Sequence, residues 1–204
     1  MALQVRSRAR GQDIATLGAT RSPYPATTGR TILAAVSDEP FTIRAMTSDD
    51  LPAVAKLAGK LVRMHYDLDP RRFIHLPNPE AGYARYFAGE LTNEDVVLVV
   101  AQKTTGEWSG TIVGYAYGRL EPRSYNELRD AYGALHDIYV DESARGNQLG
   151  ERLVADVVRQ LTAKGAPRML LLTAIQNEAA QHLFKKLGFR TTMLEMTREA
   201  DPAV

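Results

Sequence analysis

The segment Ile138-Tyr139-Val140-Asp141-Glu142-Ser143-Ala144-Arg145-Gly146-Asn147-Gln148-Leu149-Gly150 constrains the fold more than any other. A strand-like stretch passes through a short glycine-bearing turn straight into a helical repeat of Leu149, Leu153, Val154, Val157, Val158 and Leu161. A helix entered this way leaves its first N–H groups unpaired, with the positive end of the helix dipole facing the turn. Glycine lets the backbone come close to an anion. The combination reads either as a diphosphate site, with Arg145 adding charge at the rim, or as an ordinary strand-to-helix turn. It is not a Walker loop, since no Gly-Lys-Ser/Thr follows. Nor is it a dinucleotide fingerprint, since only Gly146 and Gly150 stand where three spaced glycines are needed.

The pattern on either side is alternating α and β. Phe41–Ala45 predicts a strand. Thr47-Ser48-Asp49-Asp50 then offers a cap and first-turn acids for a helix to about His65, with Leu51, Val54, Leu57, Leu61 and Met64 on one face. A second helix is expected over Pro79–Leu91, and strands over Val96–Gln102, Thr111–Leu120 and Leu135–Val140. The helix that opens at Leu149 ends at Gly165 and Pro167. Met169–Thr173 is continuously apolar, as expected for a central strand covered on both faces. Asn177 can cap a last helix with Ala180, Leu183, Phe184 and Leu187 on its stripe, stopped by Gly188, and Phe189–Met196 would close the sheet. The order βααβββαβαβ is a mixed α/β layer arrangement.

Composition excludes several classes. With 204 residues, 45% of them hydrophobic, one ordinary domain with a real core is expected. No cysteine is present, which removes disulfides, thiolate metal sites and a cysteine nucleophile and fits a reducing compartment such as the cytoplasm. No apolar run is long enough to span a membrane, and the N-terminus lacks the apolar centre of a secretory signal. The net charge of +1 gives no case for nucleic acid or a membrane surface. Residues 1–37 nevertheless carry five Arg against one Asp. Residues 1–38 read as an N-terminal extension, either flexible or docked on the body at 39–204, with an organelle transit peptide as the other reading.

A second segment, Asn177-Glu178-Ala179-Ala180-Gln181-His182-Leu183-Phe184-Lys185-Lys186-Leu187-Gly188-Phe189, makes the first one specific. Together the two resemble the cofactor-binding motifs of the GNAT superfamily of N-acetyltransferases. That family's turn reads Arg/Gln-x-x-Gly-x-Gly/Ala, and its later motif Asn-x-x-Ala-x-x-Leu-Tyr-x-x-x-Gly-Phe. The chain matches at Arg145 and Gly150, then at Asn177, Ala180, Leu183, Gly188 and Phe189. The resemblance implies a GNAT-like, mostly antiparallel sheet flanked by helices. It also implies acetyl transfer from acetyl-CoA to a primary amine by direct attack, with no acyl-enzyme and no metal. Arg145, Gly146, Asn147, Gln148, Leu149 and Gly150 would hold the CoA diphosphate. The backbone of Ile138, Tyr139 and Val140 would pair with pantetheine. Asn177 and Ala180 would meet pantetheine from the last helix, and Phe184 would lie near the sulfur.

Two departures stand out. Gln148 replaces the family's middle glycine, and its side chain either sits outside or narrows the diphosphate pocket. Phe184 stands where many members carry the Tyr assigned to protonate the thiolate, and Phe donates no proton. The resemblance puts a carboxylate or similar base on the strand before the turn. His136 and Asp137 are the candidates, His136 first because it titrates near neutrality. Strand alternation predicts that they face opposite sides, so that only one lines the site. Tyr139 either orients substrate or packs. Tyr66, Tyr83, Tyr86 and Tyr125 are candidate acceptor-site residues, while His65, His75 and His182 share no metal-ligand spacing. A CoA-binding module with weak or no catalysis is the alternative, and a homodimer stays open.

Overall fold

A computed structural model describes residues 40–200. The Arg-rich extension and its expected boundary at residue 38 lie outside the described residues. The described elements are β1 (Phe41–Ala45), α1 (Leu51–Leu68), α2 (Pro79–Glu90), β2 (Val96–Lys103), β3 (Ile112–Glu121), β4 (Tyr132–Val140), α3 (Leu149–Ala163), β5 (Met169–Leu171) and α4 (Glu178–Lys186). One sheet runs β1-β2-β3-β4-β5. The pairs β1–β2, β2–β3 and β3–β4 are antiparallel, and β5 lies parallel to β4. The mixed, mostly antiparallel sheet flanked by helices is as the sequence predicts.

The sheet separates two cores. On β2, Val97, Val99 and Ala101 face α3, while Leu98 and Val100 face α1 and α2. That alternation is why the run Val96–Ala101 is apolar throughout: both of its faces are covered. The α3 side collects Leu149, Leu153, Val154, Val157 and Leu161, the predicted helix stripe, with Phe184 of α4. The α1/α2 side collects Val54, Leu57, Ala58, Leu61 and Phe87 around Tyr115, Tyr117 and Tyr139. Gly118 of β3 lets α3 pack close against the sheet. A Cβ there would lie 2.5 Å from Val157 Cγ1 and 3.0 Å from Leu161 Cδ1.

The entry to α1 is held by Asp50, which is buried. Arg44 donates through Nη1 and Nη2 to its two carboxylate oxygens at 2.7 and 2.8 Å. The backbone N–H and hydroxyl of Thr47 donate to the same carboxylate at 2.8 and 2.9 Å. These donors hold the Asp50 carboxyl at about 2.

The last third departs from expectation. Met169–Thr173 is not a central strand: β5 spans three residues at the sheet edge, is only partly buried, and leaves Leu172 78% exposed. Phe189–Met196 forms no strand. β-Propensity does not make a strand without a ladder partner and a face to bury. Met193, Leu194 and Met196 stay exposed. The segment instead reaches the α1–α2 loop, where Arg72 Nη2 donates to Glu195 Oε2 at 3.0 Å.

Two predictions follow from these contacts. Gly118→Ala overpacks the α3 face and lowers stability by about 1–3 kcal/mol, read as a lower urea midpoint at unchanged slope. The Asp50 carboxyl sits below its ordinary value of 3.8 in the fold. Its contribution is therefore present at neutral pH and fades as pH falls from 3.8 towards 2. Asp50→Asn flattens that part of the acid-unfolding curve relative to the parent protein.

Candidate active site

Strand β4 has β3 beside it along its whole length, from Tyr132 to Val140. Its pairing with β5 covers only Gly133, Ala134 and Leu135. Past Leu135 the pairing stops because β5 itself ends at Leu171, and the edge of β4 at Ile138, Tyr139 and Val140 has no described strand on that side. An extended chain carrying amides fits such an edge as an additional strand would.

The turn beyond β4 is built by its own side chains. Asp141 Oδ1 accepts from the Ser143 backbone N–H at 3.1 Å and from its hydroxyl at 2.7 Å. Asn147 Nδ2 donates to the carbonyls of Ala144 and Arg145 at 3.0 and 3.3 Å, and Arg145 Nε to that of Val140 at 3.4 Å. Gly146 has φ +83°. Gln148 has φ 57°, ψ 15°, the left-handed region, and is exposed. The residue replacing the family's middle glycine thus adopts the conformation a glycine favours, with its side chain outside. No side chain caps α3 there. Leu149 is buried and anchors the helix start, and a Cβ at Gly150 would lie 3.2 Å from Leu183 Cδ2, so Gly150 lets α3 approach α4.

Asn177 Oδ1 caps α4, accepting from the Ala180 N–H at 3.1 Å. Ala180 and Leu183 pack on the α3-side core. Phe184 is buried there, its ring centroid 5.9 Å from that of Phe189.

On the α1/α2 face the structure corrects the parity argument. Tyr117 pairs with Asp137 and Gly118 with Leu135, so His136 is the extra residue of a β-bulge. Both His136 and Asp137 therefore meet side chains of the α1/α2 face. Asp137 accepts from the Tyr115 hydroxyl at 3.2 Å, with Tyr83 of α2 as a second hydroxyl donor, and burial pushes its carboxyl up. Burial likewise raises the phenols of Tyr83, Tyr115 and Tyr117, which stay protonated. The His136 ring stacks on Tyr117 at 5.1 Å between centroids, and its Nε2 lies 2.9 Å from Glu121 Oε1. Tyr117 in turn shares a 2.8 Å hydrogen bond with the Tyr86 hydroxyl. Tyr139 is buried among the α1/α2 aromatics, a packing position.

Tyr83 and Tyr86 are thus brought together with His136 and Asp137. Tyr66 instead meets His75 at the far end of α1, and Tyr125 is exposed on the β3–β4 loop, where it lines a cleft of about 400 Å³ with Glu121. His65 stacks on Phe73, and His182 Nδ1 lies 2.8 Å from the Glu178 carbonyl in its own helix. Among the described residues no group of His, Asp and Glu could hold a metal ion. No described helix is long and apolar enough to cross a membrane. Sequence reasoning missed Glu121 and Tyr117. The alternation Tyr115, Tyr117, Arg119, Glu121 was the available signal, and it put Glu121 on the face of β3 that carries Tyr117.

The unpaired β4 edge, the turn and the α3–α4 contact lie where the resemblance of the two motifs leads one to expect them, and comparison with known proteins identifies the family. The acetyltransferase (GNAT) family profile matches residues 61–189, and the chain belongs to that family. An IAA acetyltransferase of Azospirillum brasilense is 28% identical over 137 residues, which is 67% of this chain and 76% of the relative. A glucosamine 6-phosphate N-acetyltransferase of Trypanosoma brucei brucei is 33% identical over 88 residues, 43% of this chain and 57% of that one. Among solved structures, a variant of the BH1408 protein of Bacillus halodurans superposes with a TM-score of 0.65 at 20% identity, covering 78% of this chain and 99% of that one. The aminoglycoside N-acetyltransferase AAC(6')-Iy in complex with CoA gives 0.60 at 21%, covering 78% and 94%. These superpositions show the fold.

Gln148→Gly is expected to relieve a left-handed residue that costs roughly 1 kcal/mol, partly offset by glycine's greater freedom in the unfolded chain. The measurable outcome is a thermal midpoint that rises or holds, with CoA affinity undiminished.

Proposed function

We propose that the protein transfers the acetyl group of acetyl-CoA to a primary amine by direct attack, with His136 as the general base. The observation that carries this reading is the end of the β4–β5 pairing at Leu135, immediately before the bulge that bears His136. An unpaired backbone edge, an exposed imidazole and a glycine-bearing turn thus follow one another along β4 and its exit, which supports the reading. Pantetheine would pair along Ile138–Val140, and the diphosphate would sit on the N–H groups from Arg145 to Gly150, with Asn147 and Gln148 shaping the backbone. Asn177 Nδ2 is the donor on α4 for pantetheine, and Ala180 and Phe184 would close the wall beside it.

An alkyl ammonium with an ordinary pKa near 10.4 is only about one part in 2500 neutral at pH 7, so a base speeds its attack. With Nε2–H donated to Glu121, the imidazole presents Nδ1 as the free acceptor. The amine passes a proton to Nδ1 and its nitrogen bonds the thioester carbon. The resulting oxyanion would be held by backbone N–H groups of β4. Collapse breaks the C–S bond; the nitrogen sheds its second proton to solvent, the thiolate takes one from solvent, and the imidazolium's proton is the net release. Phe184 cannot supply the thiolate's proton, and the thiolate's low basicity makes water sufficient. Asp137 accepts from two tyrosines and holds the aromatic wall beneath α2, which leaves the exposed His136 as the base of this reading. The absence of cysteine from the chain is compatible with direct attack.

The test is steady-state release of CoA thiol with a panel of amines. His136→Gln is expected to lower kcat by about 100-fold, remove the acidic limb of the pH profile, and leave the KM for acetyl-CoA in place. Glu121→Gln should give a smaller loss of kcat. An unchanged pH profile in His136→Gln, together with its loss in Asp137→Asn, would transfer the role to Asp137.

A further inference from the structure

We infer that Lys60 is a positioning residue for CoA, acting through Asp141 on the turn that opens α3; this rests on the donor site proposed above. Lys60 belongs to α1, on the acceptor side of the sheet, yet its Nζ donates to Asp141 Oδ2 at 2.5 Å. Asp141 is the first residue of the turn and organises it with every polar group it has. Its N–H donates to the Val113 carbonyl at 2.8 Å, which ties it to β3, and its own carbonyl accepts from Ala144 at 2.9 Å. Oδ1 serves the N–H and hydroxyl of Ser143. Oδ2 is left to Lys60.

The arrangement has an electrostatic reason. A carboxylate at the mouth of an anion-binding turn opposes the anion, and with Glu142 beside it the opposition grows. The ammonium of Lys60 offsets that charge and fixes the side chain whose other oxygen shapes the turn. Asp141 is held at about 2 and the Lys60 ammonium is raised, so both remain ionised throughout the neutral range. Half of the Lys60 side chain is exposed, so the pair adds little to global stability. Its effect belongs to CoA affinity and not to melting.

The experiment is calorimetric titration of the full chain with CoA, for the parent protein, Lys60→Met, Lys60→Arg, Asp141→Asn and the Lys60→Met/Asp141→Asn double variant. Asparagine retains the capping oxygen for Ser143 while losing the charge. Lys60→Met is expected to weaken CoA by about five-fold and to raise the KM for acetyl-CoA in step. The kcat, the acceptor KM and the thermal midpoint stay put, and Lys60→Arg restores affinity. In the Asp141→Asn background, Lys60→Met should cost less than about two-fold, because its partner is gone. An equal loss in both backgrounds means direct contact with the diphosphate and overturns the inference. So does a Lys60→Met protein that binds as the parent does. Failure of the parent itself to bind CoA overturns the donor-site reading instead.

Discussion

Everything at the candidate site depends on β4 having a partner on one side only beyond Leu135. A parallel neighbour that continued to Val140 would consume the backbone edge that the proposed pairing with pantetheine needs. The three-residue length of β5 is therefore a requirement of the site as much as a feature of the sheet. The strand survives with one open edge because β3 pairs with it along its whole length and apolar cores cover both of its faces. The same one-sidedness brings the strand's end into the turn from Asp141 to Gln148, where helix α3 begins uncapped by any side chain.

The bulge at His136 is the second organising event. It breaks the alternation of β4 at one residue, so that two polar side chains in succession meet the same tyrosine-rich face. They are not equivalent there. Asp137 is absorbed by Tyr115 and Tyr83, whereas His136 is braced from one side by a ring and from another by a carboxylate. A brace of that kind selects a tautomer, which an exposed histidine alone would not.

How much of this was legible depended on whether the information was local. The turn and the α3 stripe were readable because glycine and helical spacing report on their own neighbourhood. So was the Asn177 cap. The relation of His136 to Asp137 was not readable, because a bulge is decided by the register of the facing strand, and no residue in Leu135–Val140 announces it. Glu121 was lost for a related reason: β3 continues one residue past where the apolar pattern ends. Phe189–Met196 shows the opposite failure. Its composition suits a strand, yet the segment pairs with no described strand and instead meets Arg72 through Glu195. Gln148 looked like an irregularity in sequence, and the backbone at that position absorbs it.

The division of the interior into two cores has a consequence for how a protein of this kind can change. The helix pair α1 and α2 and the loop between them rest on one side of the sheet, and the donor-side helices on the other. Mutations that remodel the tyrosine-lined layer alter one packing problem while leaving the other solved. Under the proposed function, drift in the tyrosine-lined layer changes the acceptor side while the residues proposed to hold CoA keep their packing. Lys60, reaching from one layer to the turn that serves the other, is the exception that couples them.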